Sequence, residues 1–107
     1  MARARPEASF QSTVIRLARA YGWEAYHPPA NVPFRDGRRM VVQTIAAGWP
    51  DLTLARPPEL LFAELKAPRG RLSPAQERWI ELLRACGQEV HVWRPADFDA
   101  IHGRLKR

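Results

Sequence analysis

Residues 60–67, Leu-Leu-Phe-Ala-Glu-Leu-Lys-Ala, constrain this chain more than any other stretch. Their length and apolar content predict a β-strand, yet Glu64 and Lys66 sit where neighbouring residues ask for a core. Alternation along a strand puts Leu60, Phe62, Glu64 and Lys66 on one face and Leu61, Ala63, Leu65 and Ala67 on the other. If the leucines face a helix-covered core, Glu64 and Lys66 project together from the opposite side. A buried, unpaired charge costs several kcal/mol, so these groups need each other, solvent or a bound ion. An exposed sheet face with a weak ion pair would also satisfy the pattern.

The preceding segment bears on that choice. Asp-Leu-Thr-Leu-Ala (51–55) predicts a second strand, and Arg-Pro-Pro-Glu (56–59) a turn, so 51–67 reads as a β-hairpin. The start of the first strand then lies beside the end of the second, which brings Asp51 level with Glu64 to Lys66. Two carboxylates at one edge of a sheet, supplemented by water, are the ligand set of Mg²⁺ or Mn²⁺. A neighbouring lysine can orient or deprotonate a water, or hold a phosphate.

The rest of the chain frames this hairpin. Phe10, Val14, Leu17, Ala18 and Tyr21 form one helical stripe between Glu7 and Gly22, with Pro6 suited to the first turn. Residues 23–27 predict a short strand. Residues 29–47 contain a turn at Arg-Asp-Gly-Arg-Arg and an optional extra strand at 40–47. Ser73-Pro74-Ala75-Gln76 is a helix start with a capping box, and Gly87 a stop. Trp79, Leu82, Leu83 and Cys86 are the expected buried stripe of that helix. Residues 89–93 predict a fourth strand, and Pro95 opens a last helix. The strand–helix–strand crossover should make the third and fourth strands parallel and the sheet mixed. The fold class expected is α/β with a mixed α+β sheet, four central strands flanked by helices, in one domain over residues 1–107.

At 107 residues and 46% hydrophobic, the chain has material for a core and is not disordered by composition. No apolar run is long enough to span a bilayer, and no secretory signal is expected behind Met-Ala-Arg-Ala-Arg. A lone Cys86, read as packing, fits a reducing cytoplasm, of a bacterium or a phage-infected cell. The net charge is +6, and of seventeen Lys and Arg residues only Lys66 and Lys106 are lysine. Such a balance suits a polyanionic partner, although a solvated arginine-rich surface would look the same.

Pro50-Asp51 followed by Glu64-Leu65-Lys66 resembles the signature of the PD-(D/E)XK nucleases. Its surroundings are more specific. Leu17 to His27, then Gly48-Trp49-Pro50-Asp51, Glu64-Leu65-Lys66 and Gly70-Arg71-Leu72-Ser73-Pro74-Ala75-Gln76, are similar to a stand-alone VRR-NUC domain, the virus-type replication-repair nuclease branch, over about residues 6–99. The resemblance implies a restriction-endonuclease-like αβββαβ core, with an extra C-terminal helix in this chain. It implies that Asp51 and Glu64 hold Mg²⁺ or Mn²⁺ with the Leu65 carbonyl. Glu7 assists them, Lys66 positions or activates the attacking water, and Gln11 and Gln76 border the site. It also implies a structure-selective endonuclease acting on branched DNA such as Holliday junctions, leaving 5′-phosphate and 3′-hydroxyl ends. Paired incisions would require a symmetric homodimer.

Each supporting residue has a plainer reading. Glu7 is favourable at a helix N-terminus through the dipole alone, Gln11 suits a helix boundary, and Gln76 completes the capping box. Arg69 and Arg71 flank Gly70 just beyond Lys66 and are expected to contact phosphate. Arg35, Arg38 and Arg39 lie in a segment longer than the family's usual link and either contact DNA or are solvated. Trp49 is expected to pack behind its turn, and His27, His91 and His102 are read as structural or solvent-facing. Two rival readings are a restriction-type nuclease that cuts specific duplex sequences and a DNA-binding module without catalysis.

Overall fold

The computed structural model describes residues 6–29, 31–44 and 47–107, with the backbone alone at 6–8, 31–34, 36 and 41–44. Helix α1 (Pro6–Ala20) leads into strand β1 (Glu24–Tyr26), a ribbon of β2 (Asn31–Asp36) and β3 (Arg39–Thr44), then β4 (Leu52–Arg56) and β5 (Glu59–Leu65). Helix α2 (Pro74–Ala85), β6 (Glu89–Trp93), a 3-10 turn at Pro95–Asp97 and α3 (Phe98–Lys106) complete it. Four strands form one mixed sheet in the order β1-β4-β5-β6, and β2-β3 is a separate two-stranded sheet.

The expected hairpin is β4-β5, antiparallel and in register from Leu52 opposite Ala63 to Arg56 opposite Glu59. α2 carries the chain across so that β6 runs parallel to β5, with Glu64 beside Val92 and Leu65 beside Trp93. The expected parallel pair and mixed sheet are therefore present. The segment 29–47 holds two strands rather than one, paired from Asn31 opposite Thr44 to Asp36 opposite Arg39. Gly37, with φ of 63°, turns the chain between them. Apolar residues at 32, 34, 41 and 42 fall on no single alternating face, which is why the pattern hid this ribbon.

Both faces of the main sheet are covered, unequally. On one, Leu52, Leu54, Leu61, Ala63, Leu65 and Trp93 pack under α1, through Phe10, Val14 and Ala18, and under α3, through Ile101 and Leu105. On the other, Phe62 and Val90 meet Ile80 of α2, with Trp49, Leu72, Leu83 and Val92 around them. α2 lies over β5 and β6, so Tyr26 of β1 and Leu60 remain exposed.

That narrow footing corrects the expected α2 stripe. The inward positions are 76, 79, 80 and 83, a helical set at i, i+3, i+4 and i+7. Ile80 is buried, whereas Leu82 is exposed. Cys86 is exposed too and is not core packing. A helix resting on two strands buries a thin stripe, and the wider apolar arc stays outside. Among the described residues, no helix is long and apolar enough to cross a membrane.

Candidate active site

The β4-β5 register, carried one residue beyond Leu52–Ala63, sets Asp51 against Glu64. Asp51 lies in the bend before β4, where Pro50 is fully buried. The Leu65 backbone N–H donates to Asp51 Oδ2 at 2.8 Å. Glu64 is only 2% exposed, among the apolar side chains at the end of β5. The Gln76 side-chain amide donates to Glu64 Oε1 at 3.1 Å. Glu64 Oε2 is buried and has no hydrogen-bond donor among the described residues.

An orphaned carboxylate oxygen in such a place is costly. Burial and the negative charge of Asp51 push the Glu64 carboxyl up to about 8, an effect that Lys66 partly offsets. Without a metal, the raised Glu64 carboxyl keeps its proton near neutral pH and shares it with Asp51; a hard cation with oxygen preference would replace that proton and satisfy both acids. Mg²⁺ commonly rests on one or two carboxylates and keeps several waters, so Asp51, Glu64 and the Leu65 carbonyl fit it. Among the described residues no cluster of three or more His, Cys, Asp or Glu forms a ready-made cage. Glu7 lies in the first turn of α1, and its side chain falls outside the described residues.

Neighbouring elements hold this pair in place. Gln76 does double duty: its Oε1 accepts the Ser73 N–H at 2.8 Å while its own N–H donates to the Ser73 hydroxyl at 3.2 Å. The expected capping box and the expected contact with the site are thus one side chain. Gly48, with φ of +86°, runs so close to α2 that a Cβ there would fall 2.4 Å from the Ala75 carbonyl carbon and 2.7 Å from the Gln76 nitrogen. This close approach, not turn geometry alone, demands glycine. Trp49 packs edge-on to Phe62 and Trp79, at centroid distances of 5.7 and 5.0 Å.

Lys66 follows β5 directly, half-buried, its N–H bonded to the Trp93 carbonyl at 2.9 Å. The next loop folds back along it, since a Cβ on Gly70 would lie 3.4 Å from Lys66 Cδ. Arg94 Nη2 fixes that loop through the Gly70 carbonyl at 2.7 Å, leaving Arg69 and Arg71 exposed. Gln11 is half-buried on α1, one turn beyond Glu7. Arg35, Arg38 and Arg39 are exposed around the tip of the β2-β3 ribbon. Asp51, Glu64, Lys66 and Gln76 are thus brought together, and the ribbon arginines stand apart on their own sheet.

Sequence reasoning gave no role at the site to Gly48, Arg94 or His27, whose Nδ1 lies 2.7 Å from the Asp51 carbonyl oxygen. A glycine two residues before the Pro-Asp pair was a visible signal for the first. The other two act through contacts that only the tertiary fold creates.

The family model described as the VRR-NUC domain matches residues 27–97. The chain belongs to the VRR-NUC family. Among solved structures, one titled "VRR_NUC domain protein" is similar to it at 20% identity, with a TM-score of 0.63, over 98% of this chain and 88% of that one. No match is found among curated proteins. The VRR-NUC chain carries a nuclease-type fold, and its family points to nuclease activity and DNA binding.

Proposed function

We propose that this VRR-NUC protein is a metal-dependent endonuclease that hydrolyses phosphodiester bonds in branched DNA. The reading is carried by Glu64, a buried acid set against Asp51 at the edge where Lys66 emerges, with one oxygen that receives no donor among the described residues. Asp51, Glu64 and the Leu65 carbonyl would hold Mg²⁺ or Mn²⁺, with Glu7 as a further acid. A cation bound there supplies Lewis-acid polarisation of the phosphate and lowers the pKa of a bound water. Lys66 orients the attacking water and stabilises charge developing on the phosphate. Gln76 holds the Glu64 carboxylate in one orientation. Water adds to phosphorus as the bond to the 3′-oxygen breaks, leaving 5′-phosphate and 3′-hydroxyl ends. Arg69 and Arg71 contact the backbone beside the cut, and Gln11 borders the cleft. Arg38 and Arg39 contact a flanking duplex, and two copies make paired cuts.

A panel of labelled four-way junction, flap, splayed arm, single strand and linear duplex, with Mg²⁺ or Mn²⁺, tests this reading. Asp51→Asn should lose cleavage by roughly 10³-fold or more. Cleavage without metal, or equal cleavage by the variant, refutes it. The exposed arginines of the ribbon favour one rival, a sequence-specific duplex cutter; preference for linear duplex over junctions of the same sequence would establish that rival instead.

A further inference from the structure

β1 and β4 are adjacent strands whose last register pair is Tyr26 opposite Thr53. One residue further on, His27 Nδ1 lies 2.7 Å from the Asp51 carbonyl oxygen, a contact spanning 24 positions. A carbonyl oxygen only accepts, so Nδ1 carries the proton and donates. β4 begins at Leu52, and Pro50 has no N–H, so the backbone at Asp51 lies outside the ladder. The imidazole extends the β1-β4 pairing by a side chain. It also closes the base of the excursion that carries the β2-β3 ribbon. Asp51 is therefore gripped twice: at its carbonyl by His27, and at its carboxylate by the Leu65 N–H of β5 at 2.8 Å.

We propose that His27 is a positioning residue that locks the Asp51 backbone so that its carboxylate faces Glu64 at the distance a shared cation needs. This rests on the metal-site reading of Asp51 and Glu64. Groups one shell removed from a metal commonly act this way, by orienting the ligand rather than touching the ion. His27 lies at the exposed rim, where solvent competes for the carbonyl; the bond is formed nonetheless.

Two variants separate the donor from the ring. In His27→Asn, the amide nitrogen sits as many bonds from Cβ as Nδ1 and can donate to the same carbonyl. His27→Phe keeps a ring without a donor. Calorimetric titration of DNA-free protein with Mn²⁺ gives the affinity, and steady-state cleavage separates kcat from KM. His27→Phe should weaken Mn²⁺ binding and lower kcat by roughly 10- to 100-fold, with His27→Asn restoring most of both. KM for DNA should stay within about twofold, because the residue acts on the ligand and not on the substrate. Unchanged Mn²⁺ affinity in His27→Phe overturns the proposal, and so does an equal loss in both variants. Should His27→Phe fail to fold, nitrogen-15 NMR of the unaltered protein decides: a neutral imidazole protonated at Nδ1 supports the lock, and one protonated at Nε2 refutes it. A protein that binds Mn²⁺ yet cuts no DNA refutes the nuclease reading alone, and the Mn²⁺ titration then judges His27 by itself. Absence of any Mn²⁺ binding overturns both.

Discussion

Strand β5 carries a glutamate at each end, and the fold treats them in opposite ways. At its start, Glu59 pairs with Arg56 at 2.8 Å and with Arg104 at 3.2 Å. Arg104 also reaches Glu89, which opens the parallel strand, with Nε at 2.6 Å and Nη2 at 2.9 Å. His91 adds a bond to Glu89 at 2.6 Å. Both guanidiniums lie over the Trp23 ring, at 4.4 and 5.3 Å from its centroid. Arg56 and the Trp23 indole N–H both donate to the Leu105 carbonyl, at 2.9 Å each, and so tie the end of α3 to the hairpin. Arg104, bonded by its side chain, holds Glu89 down at about 2, and Arg56 lowers Glu59. At the other end of β5, Glu64 meets a neutral amide and a second carboxylate, and is driven up to about 8. One end supplies its own cations. The other sets two acids face to face, the arrangement on which the proposed cation site rests.

The arginine count changes meaning in this light. Arg56, Arg84, Arg94 and Arg104 are spent on backbone carbonyls or glutamates within the fold. Arg69 and Arg71 beside the site and Arg35, Arg38 and Arg39 on the ribbon are exposed, and the proposed DNA contact would draw on them.

Glu64→Gln against Glu89→Gln is the sharpest test of the contrast. Glu64→Gln should abolish cleavage to roughly 10³-fold below the parent, while Glu89→Gln leaves cleavage per folded molecule intact. Their effects on metal-free stability should have opposite signs with pH. Glu64 has a raised folded pKa, so as pH climbs from its unfolded value of 4.5 to about 8 the unfolded chain loses its proton first and stability falls. Glu64→Gln should remove that decline and leave the metal-free protein more stable at pH 9, by about 2–4 kcal/mol. Glu89 has a depressed folded pKa; its contribution is present above the unfolded value of 4.5 and lost as pH drops toward 2. At a carboxylate one-third exposed, solvent screening holds this to about 1–2 kcal/mol. Urea unfolding from pH 3 to 9 checks both slopes. Parallel slopes would erase the distinction between the ends.

Arg104→Ala probes the closed end. Arg104 is itself buried and bridges two acids that would keep only Arg56 and His91, so its loss should cost about 1–2 kcal/mol. Denaturant midpoints measure the loss, and cleavage by the folded fraction should not change. A folded Arg104→Ala protein unable to cut DNA would show that the two ends are coupled through β5.

The open end is largely legible in the sequence. Hairpin register follows from the Pro-Pro turn and the alternation of residues 51–67, and register alone brings Asp51 to Glu64. The Ser-Pro-Ala-Gln start of α2 was equally plain, because caps are local chemistry. The closed end was not legible: Glu59, Glu89 and Arg104 come from three separate elements, and no spacing in the chain joins them. Nor was the outward turn of Leu82 and Cys86, which depends on how much of the sheet α2 covers. His27 escaped for a related reason, since a bond across 24 positions exists only once β1 and β4 pair.

Gly48→Ala is a backbone test of the open end. The added methyl meets the first turn of α2, and φ of +86° is strained for alanine. Stability should fall by about 2–3 kcal/mol. Relief by shifting α2 would carry Gln76 away from Glu64, so residual activity should drop further than the unfolded fraction explains. Activity that tracks the folded fraction would show that Gly48 serves the turn alone.

The smallest effect separates the two duties of Gln76. Ser73→Ala removes the hydroxyl that accepts the Gln76 N–H, yet Gln76 Oε1 still holds the Ser73 N–H, so the amide keeps its direction toward Glu64. The loss should be a cap's worth, about 1 kcal/mol, with cleavage nearly unchanged. Gln76→Ala should cost a similar amount of stability and, in addition, lower kcat, because Glu64 then loses the amide that donates to its Oε1. Adding Mn²⁺ should recover more stability in Gln76→Ala than in Ser73→Ala, since only the first leaves both oxygens of Glu64 waiting for a cation. Identical behaviour of the two variants would mean that Gln76 is a cap and nothing else, and that Glu64 is held by its burial between β4 and β6.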